Sequence, residues 1–566
     1  MPSRGPDRTR NLWILALLVA LALGMRLASA GRLLPQQREP DAFEVYEMQR
    51  VQGDQALVKG VNFQERYPWL LAWTLAALPA AHPPRDASAA DAERLHLAAA
   101  AQPFLRVRIA VALLATLQVL LTFFLARRFL PEGAALAAVF LVATSLLHLL
   151  FSVEARPHGA NAGLTLLALI ATLQLGQRFA FGRLALAVVT SAAAIATFQL
   201  GLATLPPLFL ACLLLEGVPR GRRIALALCA PLAALALALP WYTNRPYIDA
   251  TGVHMASAEG GGHTLFFQGM DFLGSLRGAQ LVFEHDPLLA LLAAAGLVLL
   301  LARARNSWRA ADADTRRSLA VAGAFALPYA LVITIQGEVY ERFLMPLVPF
   351  VAILGAVALL ALWRRPAARA LALLALGLAA LSAGQFVRLA QVPDAYEQAA
   401  EWVRQHVPRE ANLTVFPDVS LPLLYTPAAV AAQMQDISAR NMPWVTYQAT
   451  IPALPAGAPA WNVRCVPRQL VVQRATVEAL RAWLAAERVE YLVVQHSRLM
   501  TNLPALANLE QAASETGELV FASTGAAPDL LELGSVDYQM IRHFAWRQLQ
   551  QGALGPELRI WKLTRR

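Results

Sequence analysis

The sequence predicts a polytopic α-helical membrane protein of about eleven transmembrane helices, with a soluble α/β domain at its C-terminal end. Composition is the first observation behind that reading. Of 566 residues, 57% are hydrophobic and mean hydropathy is +0.46, yet 15% are charged, so the charge has to be segregated along the chain. Segregation is the second observation: Leu/Ala/Val runs of roughly 16 to 22 residues, about the length that crosses a hydrocarbon core, alternate with short Arg-rich connectors. Only helices account for so many runs, because backbone polar groups in lipid must be satisfied within the segment. The third is a change of pattern at Pro393, after which amphipathic helix signals alternate with short buried-strand signals.

Spans are predicted near 11–30, 105–126, 133–152, 159–177, 184–199, 200–216, 224–240, 287–303, 318–336, 343–362 and 367–386. Arg4, Arg8 and Arg10 ahead of Leu12–Ala30 resemble a signal peptide, but no small-residue cleavage pattern follows, so the run is read as a retained first helix. Every second connector is basic: Arg127/Arg128, Arg178/Arg183, Arg220/Arg222/Arg223, Arg303/Arg305/Arg309/Arg316/Arg317 and Arg364/Arg365/Arg369. Placed in the cytoplasm, these keep parity through the whole chain. The run 184–216 is split at Gln199–Gly201, since a single tilted helix there would put every later loop on the wrong side.

A net charge of +10 would suit nucleic acid, but arginines concentrated in connectors are topology signals, and no nucleic-acid partner is expected. Cys212, Cys229 and Cys465 have no metal spacing and no disulfide is expected. There is no Cys/His zinc pattern and no Walker-type glycine loop.

This topology divides the chain into a membrane domain, 1–390, and an external domain, 391–566. It also leaves the loops 31–104 and 241–286 outside. Within the first loop, Tyr67–Ala81 is apolar but shorter than a full span and reads as an interfacial or re-entrant helix, followed by a loop at His82–Ala92. In the C-terminal domain, helices are expected at Asp394–His406 and Thr476–Glu487 and strands at Leu413–Phe416 and Tyr491–Gln495. The Asn412-Leu413-Thr414 sequon is read as coincidence.

The most informative polar stretch is Glu39-Pro40-Asp41-Ala42-Phe43-Glu44-Val45-Tyr46-Glu47, just after the first span. Pro40 suits a first helical turn, and spacings of three set Asp41 beside Glu44 and Glu44 beside Glu47. Carboxylates clustered at a membrane surface suit a general base or a hard divalent cation. A solvated helix face explains the same spacing and, on spacing alone, explains it somewhat better. Glu154 and Arg156 likewise read, on their own, as a helix end at the interface. His148, embedded in an apolar run, reads as a satisfied internal polar group, and Trp69 and Trp73 as interfacial anchors.

The order of a first helix, PDAFEVYEMQR, GVNFQERYPWLLAWTLAAL and RVRIAVALLATLQVLLTFFLARRFL resembles the polyprenyl-phosphate-dependent transferases of the GT-C superfamily, of the protein O-mannosyltransferase and aminoarabinose-transferase type. The likeness runs through roughly residues 11–386. It implies that Asp41 is the catalytic acid of the first external loop; Ala42 stands where a Glu commonly follows, so Glu44 or Glu47 is the substitute. FLVATSLLHLLFSVEARPHG resembles the third span and its outer end, which makes Glu154 a metal or acceptor carboxylate and Arg156 a phosphate ligand, with His158 at a position often acidic. Glu341-Arg342-Phe343-Leu344-Met345-Pro346 resembles the family's RYLLPLLP segment, with Arg342 matching its arginine and Glu341 beside it. Arg245, after a family-like Pro-Trp-Tyr, and Arg66 with Tyr67 are further donor contacts by the same likeness.

The resemblance therefore implies inverting transfer of a sugar from a polyprenyl-phosphate donor to an acceptor hydroxyl. Arginine, a divalent cation (Mg, Mn or Zn, on Asp41, Glu44 and Glu154), or both would compensate the leaving phosphate. The rival readings are a lipid-linked saccharide transporter and a lipid-binding scaffold without turnover. Heavy Ala and Arg usage beside only two lysines, Lys59 and Lys562, fits a GC-rich bacterial genome, hence an inner-membrane protein with its N-terminus in the cytoplasm and its C-terminal domain in the periplasm.

Overall fold

The computed structural model describes residues 6–36, 45, 48–49, 51–52, 68, 70–79, 88–243, 273–335, 339–416, 419–435, 442–467, 469–470, 475–496, 504–525 and 544–564. The chain forms two compact units, one of Met1–Leu27, Gln64–Thr74 and Arg108–Gly384, the other of Ala28–Phe63, Leu75–Val107 and Gln385–Arg566. Pieces of the loop 31–104 thus group with the C-terminal residues.

Among the described residues seven helices are long and apolar enough to cross a membrane, and four shorter apolar helices, Glu132–Thr144, Phe181–Thr197, Gln199–Leu213 and Pro287–Arg303, accompany them. Every predicted span coincides with one of these. The elements used below are α1 (Pro6–Ser29), α2 (Leu70–Ala76), α3 (Ala92–Ala126), α4 (Glu132–Thr144), α5 (Leu146–Phe151), α6 (Pro157–Gln177), α7 (Phe181–Thr197), α8 (Leu205–Leu213), α9 (Arg220–Ala238), α10 (Gly274–His285), α11 (Pro287–Ala310), α12 (Ala313–Ile335), α13 (Val348–Trp363), α14 (Arg369–Leu389) and α15 (Ala395–His406).

Three boundaries differ from the expected ones for physical reasons. α3 begins at Ala92, not near 105, because a turn in which Ser88 Oγ accepts from the Asp91 amide starts the helix early. Its 35 residues extend about 50 Å, well beyond a core of about 30 Å. The predicted span 133–152 is two helices broken at Ser145, whose extended backbone lets its hydroxyl accept from the His148 amide. Around it the Asp286 carboxylate accepts from Ser145 Oγ at 2.7 Å, Leu146 N at 2.7 Å and Leu147 N at 3.1 Å, satisfying the exposed amides of α5. The short apolar helix of the loop 31–104 is α2, seven residues, where Tyr67–Ala81 was expected; Tyr67 and residues 80–87 lie outside the described residues.

The split at Gln199–Gly201 is present. α7 stops at Thr197, Phe198 is extended, and a 3-10 helix over Gln199–Thr204 leads into α8. A side chain at Gly201 would strike the backbone of Ala194, so glycine permits the return. The Asn161 amide donates to the Ala194 carbonyl at 2.7 Å and to that of Phe198 at 3.4 Å, which also accept from the Phe198 and Gly201 amides, and so ties α6 to the break.

In the first unit close helix contacts run through glycine. A Cβ on Gly163 of α6 would fall on the Leu114 carbonyl of α3, and one on Gly296 of α11 on the Leu354 carbonyl of α13. A cluster of buried residues that includes Leu175, Leu208, Cys212 and Ala230 joins α6, α7, α8 and α9.

The second unit contains a five-stranded sheet in the order β2-β1-β3-β5-β4, formed by β1 (Leu413–Val415), β2 (Val463–Cys465), β3 (Tyr491–Gln495), β4 (Gly517–Ala522) and β5 (Leu558–Leu563). β1 is parallel to β2 and β3, while β5 runs antiparallel between β3 and β4. Both expected strands and both expected helices are present; β2, β4 and β5 carried too little pattern to be foreseen. The Asn412 side chain donates to the Arg488 carbonyl and accepts from Asn462 at 2.6 Å, which binds it into the sheet. At the entry to α15, Asp394 forms a capping box with Glu397 and accepts from Gln36 Nε2 at 2.9 Å. Leu33 packs toward the Gly555 turn, so the buried segment after α1 is held against this unit's own core.

Candidate functional site

Two short segments of the first unit carry the site. The chain leaves α5 through the turn Ser152–Arg156, and Pro157, lacking an amide hydrogen, starts α6 directly after Arg156. The second segment is the 3-10 helix Glu341–Leu347, entered through extended Tyr340 and followed by Pro349 in the first turn of α13. Phe343 is fixed by its carbonyl, which accepts from the Tyr329 hydroxyl at 2.7 Å.

Both segments turn polar and charged residues inward: Glu154, Arg156, His158, Glu341 and Arg342 are all buried. Glu154 Oε2 lies 3.6 Å from Arg156 Nη1. The His158 ring sits 4.6 Å from the Phe198 ring and 5.5 Å from that of Phe343. The Arg342 guanidinium lies over Tyr340 at 4.4 Å and over Phe343 at 5.2 Å, and the charges of Arg342 and Arg156 both act on His158.

Such a cluster is a poor way to gain stability, because desolvating the charges costs about what pairing them returns. Two guanidiniums beside a half-apolar wall do suit a phosphate, which takes planar, forked donors. The 3-10 helix also has an apolar side. Leu344 and Leu347 line a cavity of about 160 Å³, together with Leu147, Val282, Leu289 and Ile333. Arg342 and an apolar recess therefore share one short helix.

Of the residues singled out in the sequence, the structure brings together Glu154, Arg156, His158 and Arg342, and buries Glu341 next to Arg342 in the chain. Asp41, Glu44, Glu47, Arg66, Tyr67, Trp69 and Arg245 lie outside the described residues. Trp73 is half exposed and meets Trp241 edge-on at 5.5 Å, compatible with an anchor. Among the described residues no group of three or more His, Cys, Asp or Glu could hold a metal ion, and Glu154 faces Arg156 instead. Sequence reading passed over Arg26, Gln118 and Asp286. Arg26 had a visible signal, a cation inside the first apolar run. Gln118 and Asp286 had none, since their roles depend on partners far along the chain.

No family model matches the chain, and no curated protein matches it. Similar solved structures include the archaeal oligosaccharyltransferase AglB from Archaeoglobus fulgidus in complex with an inhibitory peptide and a dolichol-phosphate, at 13% identity and TM-score 0.46, covering 91% of this chain and 73% of that one. ArnT from Cupriavidus metallidurans bound to undecaprenyl phosphate is 17% identical with TM-score 0.41, covering 88% and 84%. The Saccharomyces cerevisiae protein O-mannosyltransferase Pmt1–Pmt2 complex bound to the sugar donor is 14% identical with TM-score 0.30, covering 41% and 33%.

Proposed function

We propose that this chain is a membrane-embedded glycosyltransferase that moves a sugar from a polyprenyl-phosphate carrier to an acceptor hydroxyl on the extracytoplasmic face of the membrane. The observation that carries the reading is the placement of Arg342 and Arg156 beside a carboxylate and an imidazole, with the apolar cavity on the same 3-10 segment. The sequence resemblance to GT-C transferases supports it independently.

In this reading Arg342 and Arg156 bind the bridging phosphate, and the first isoprene units enter the recess at Leu344 and Leu347. Asp41 takes the proton of the acceptor hydroxyl as its oxygen attacks the anomeric carbon, with Glu44 or Glu47 standing in for the second acid and, as a like charge, raising the basicity of Asp41. The bond from the anomeric carbon to the phosphate oxygen breaks, polyprenyl phosphate departs, and the anomeric configuration inverts. Charge developing on the leaving phosphate is met by the guanidiniums. Glu341, Arg245, Arg66 and Tyr67 complete the proposed donor contacts. The proposed setting is a bacterial inner membrane, N-terminus in the cytoplasm and C-terminal domain in the periplasm.

The test is sugar release by purified protein from a radiolabelled polyprenyl-phosphate sugar panel. Asp41→Asn is expected to lower turnover by at least about a hundredfold, the scale of a general base. Transfer at the native rate by a folded Asp41→Asn protein would remove Asp41 from the mechanism. Chelator in the same assay separates two sources of charge compensation: lost turnover assigns it to a cation on Asp41, Glu44 and Glu154, and persistence assigns it to the arginines. Binding of every donor without turnover would favour the transporter reading.

A further inference from the structure

Four fully buried residues from four different elements form one hydrogen-bonded chain in the first unit: Arg26 of α1, His148 of α5, Gln118 of α3 and Met345 of the 3-10 segment. Arg26 Nη2 lies 2.6 Å from His148 Nδ1, His148 Nε2 lies 2.8 Å from Gln118 Oε1, and Gln118 Nε2 lies 3.0 Å from the Met345 carbonyl oxygen. Chemistry fixes the direction. A guanidinium only donates, so His148 Nδ1 must be the acceptor and the ring proton must sit on Nε2. His148 therefore donates to the Gln118 carbonyl, whose amide nitrogen is left to donate to Met345. The Met345 carbonyl also accepts from the Val348 amide, so the Gln118 bond occupies its second lone pair and ties the segment to α3.

Packing alone does not require this arrangement. Arg26 has no carboxylate partner among the described residues; its other bond is to the Ala22 carbonyl at 2.8 Å. Apolar residues of the same size would fill the space at a lower desolvation cost. What they would not do is tie the end of α1 to one carbonyl, three residues beyond Arg342. With Tyr329 holding the Phe343 carbonyl, the 3-10 segment is pinned on both sides of Leu344.

We propose that Arg26, His148 and Gln118 are positioning residues that fix the Glu341–Leu347 segment through the Met345 carbonyl and so set the Arg342 guanidinium for a phosphate-bearing lipid. This rests on the phosphate role given to Arg342 above. Gln118 touches no substrate in this scheme; it acts through Arg342.

The experiment uses the full chain in detergent, with undecaprenyl phosphate as probe. Its affinity is measured for the native protein, Arg342→Ala, Gln118→Met and the double variant. Gln118→Met keeps the volume and removes both of the residue's bonds. It is expected to weaken binding about tenfold, as one lost buried hydrogen bond does. The double variant should bind no more weakly than Arg342→Ala alone, because a residue acting through Arg342 has nothing left to act on. Additive losses, or native affinity in Gln118→Met, would overturn the proposal. Hydrogen exchange of the peptide over 339–348 is the second measurement: Gln118→Met should speed it and leave α6 unchanged. Should Arg342→Ala bind like the native protein, the phosphate role of Arg342 fails; exchange then decides separately whether the chain holds the segment, and unchanged exchange overturns that as well.

Discussion

At the scale of single residues, Arg342 and Asp394 show how burial turns an ordinary side chain into one with a particular task. Arg342 is held over two aromatic rings, where a planar guanidinium stacks and a compact ammonium does not. Arg342→Lys is therefore expected to weaken undecaprenyl phosphate binding about tenfold although the charge is kept, as read by titration against the native protein. Asp394 lies outside the membrane spans. Burial, reinforced by the charge of Glu397, pushes its carboxyl up to about 7, against the opposing effect of the Glu397 and Tyr396 amides and Gln36. An acid raised on folding contributes stability in its protonated form, fully present below pH 3.8 and lost as pH rises through about 7. Melting measured at pH 5 and pH 8 should fall by a few degrees for the native protein, and Asp394→Asn, which keeps the cap acceptor, should flatten the difference. The acid was legible in the sequence only as a helix cap. Its partner Gln36 is far away in the chain, so no local pattern announces the shift.

At the scale of elements, the spans were readable because a membrane imposes length and apolarity on each helix independently. The break between α7 and α8 was readable as well, from Gln199–Gly201 and the parity of the arginines, and Gly201 and Asn161 explain it. The break inside 133–152 was not, because Ser145 ends α4 with help from Asp286, which belongs to a distant part of the sequence. Contacts between helices were equally hidden. Gly163 looks like any small residue in α6 until α3 is laid against it. Gly163→Ala should push a methyl into the Leu114 carbonyl and cost about 1–3 kcal/mol, read as a lowered melting temperature in detergent. Gly133, with open space around its position, is the control: Gly133→Ala should melt like the native protein.

For the whole molecule, topology is the property that the proposed mechanism needs most, since donor and acceptor must meet on one face. In a cysteine-free background, single cysteines at Gly221, in a basic connector, and at Glu410, in the C-terminal unit, should behave oppositely in intact cells. The impermeant maleimide should label position 410 and spare position 221; labelling of both, or of 221 alone, would reverse the assigned orientation. The sequence by itself determined the place of the apolar helices found among the described residues, and two helices and two strands of the sheet-bearing unit, because each follows from local hydropathy and periodicity. Arg342 and Glu154 also stood out in it, through motif likeness. Only the tertiary structure decided that these two belong to one buried cluster, that Arg26, His148 and Gln118 reach Met345, and that residues 28–63 group with the C-terminal unit. The reason is physical: hydropathy is a property of each segment, whereas a hydrogen bond or a shared charge is a property of a pair, and pairs distant in sequence are chosen by packing.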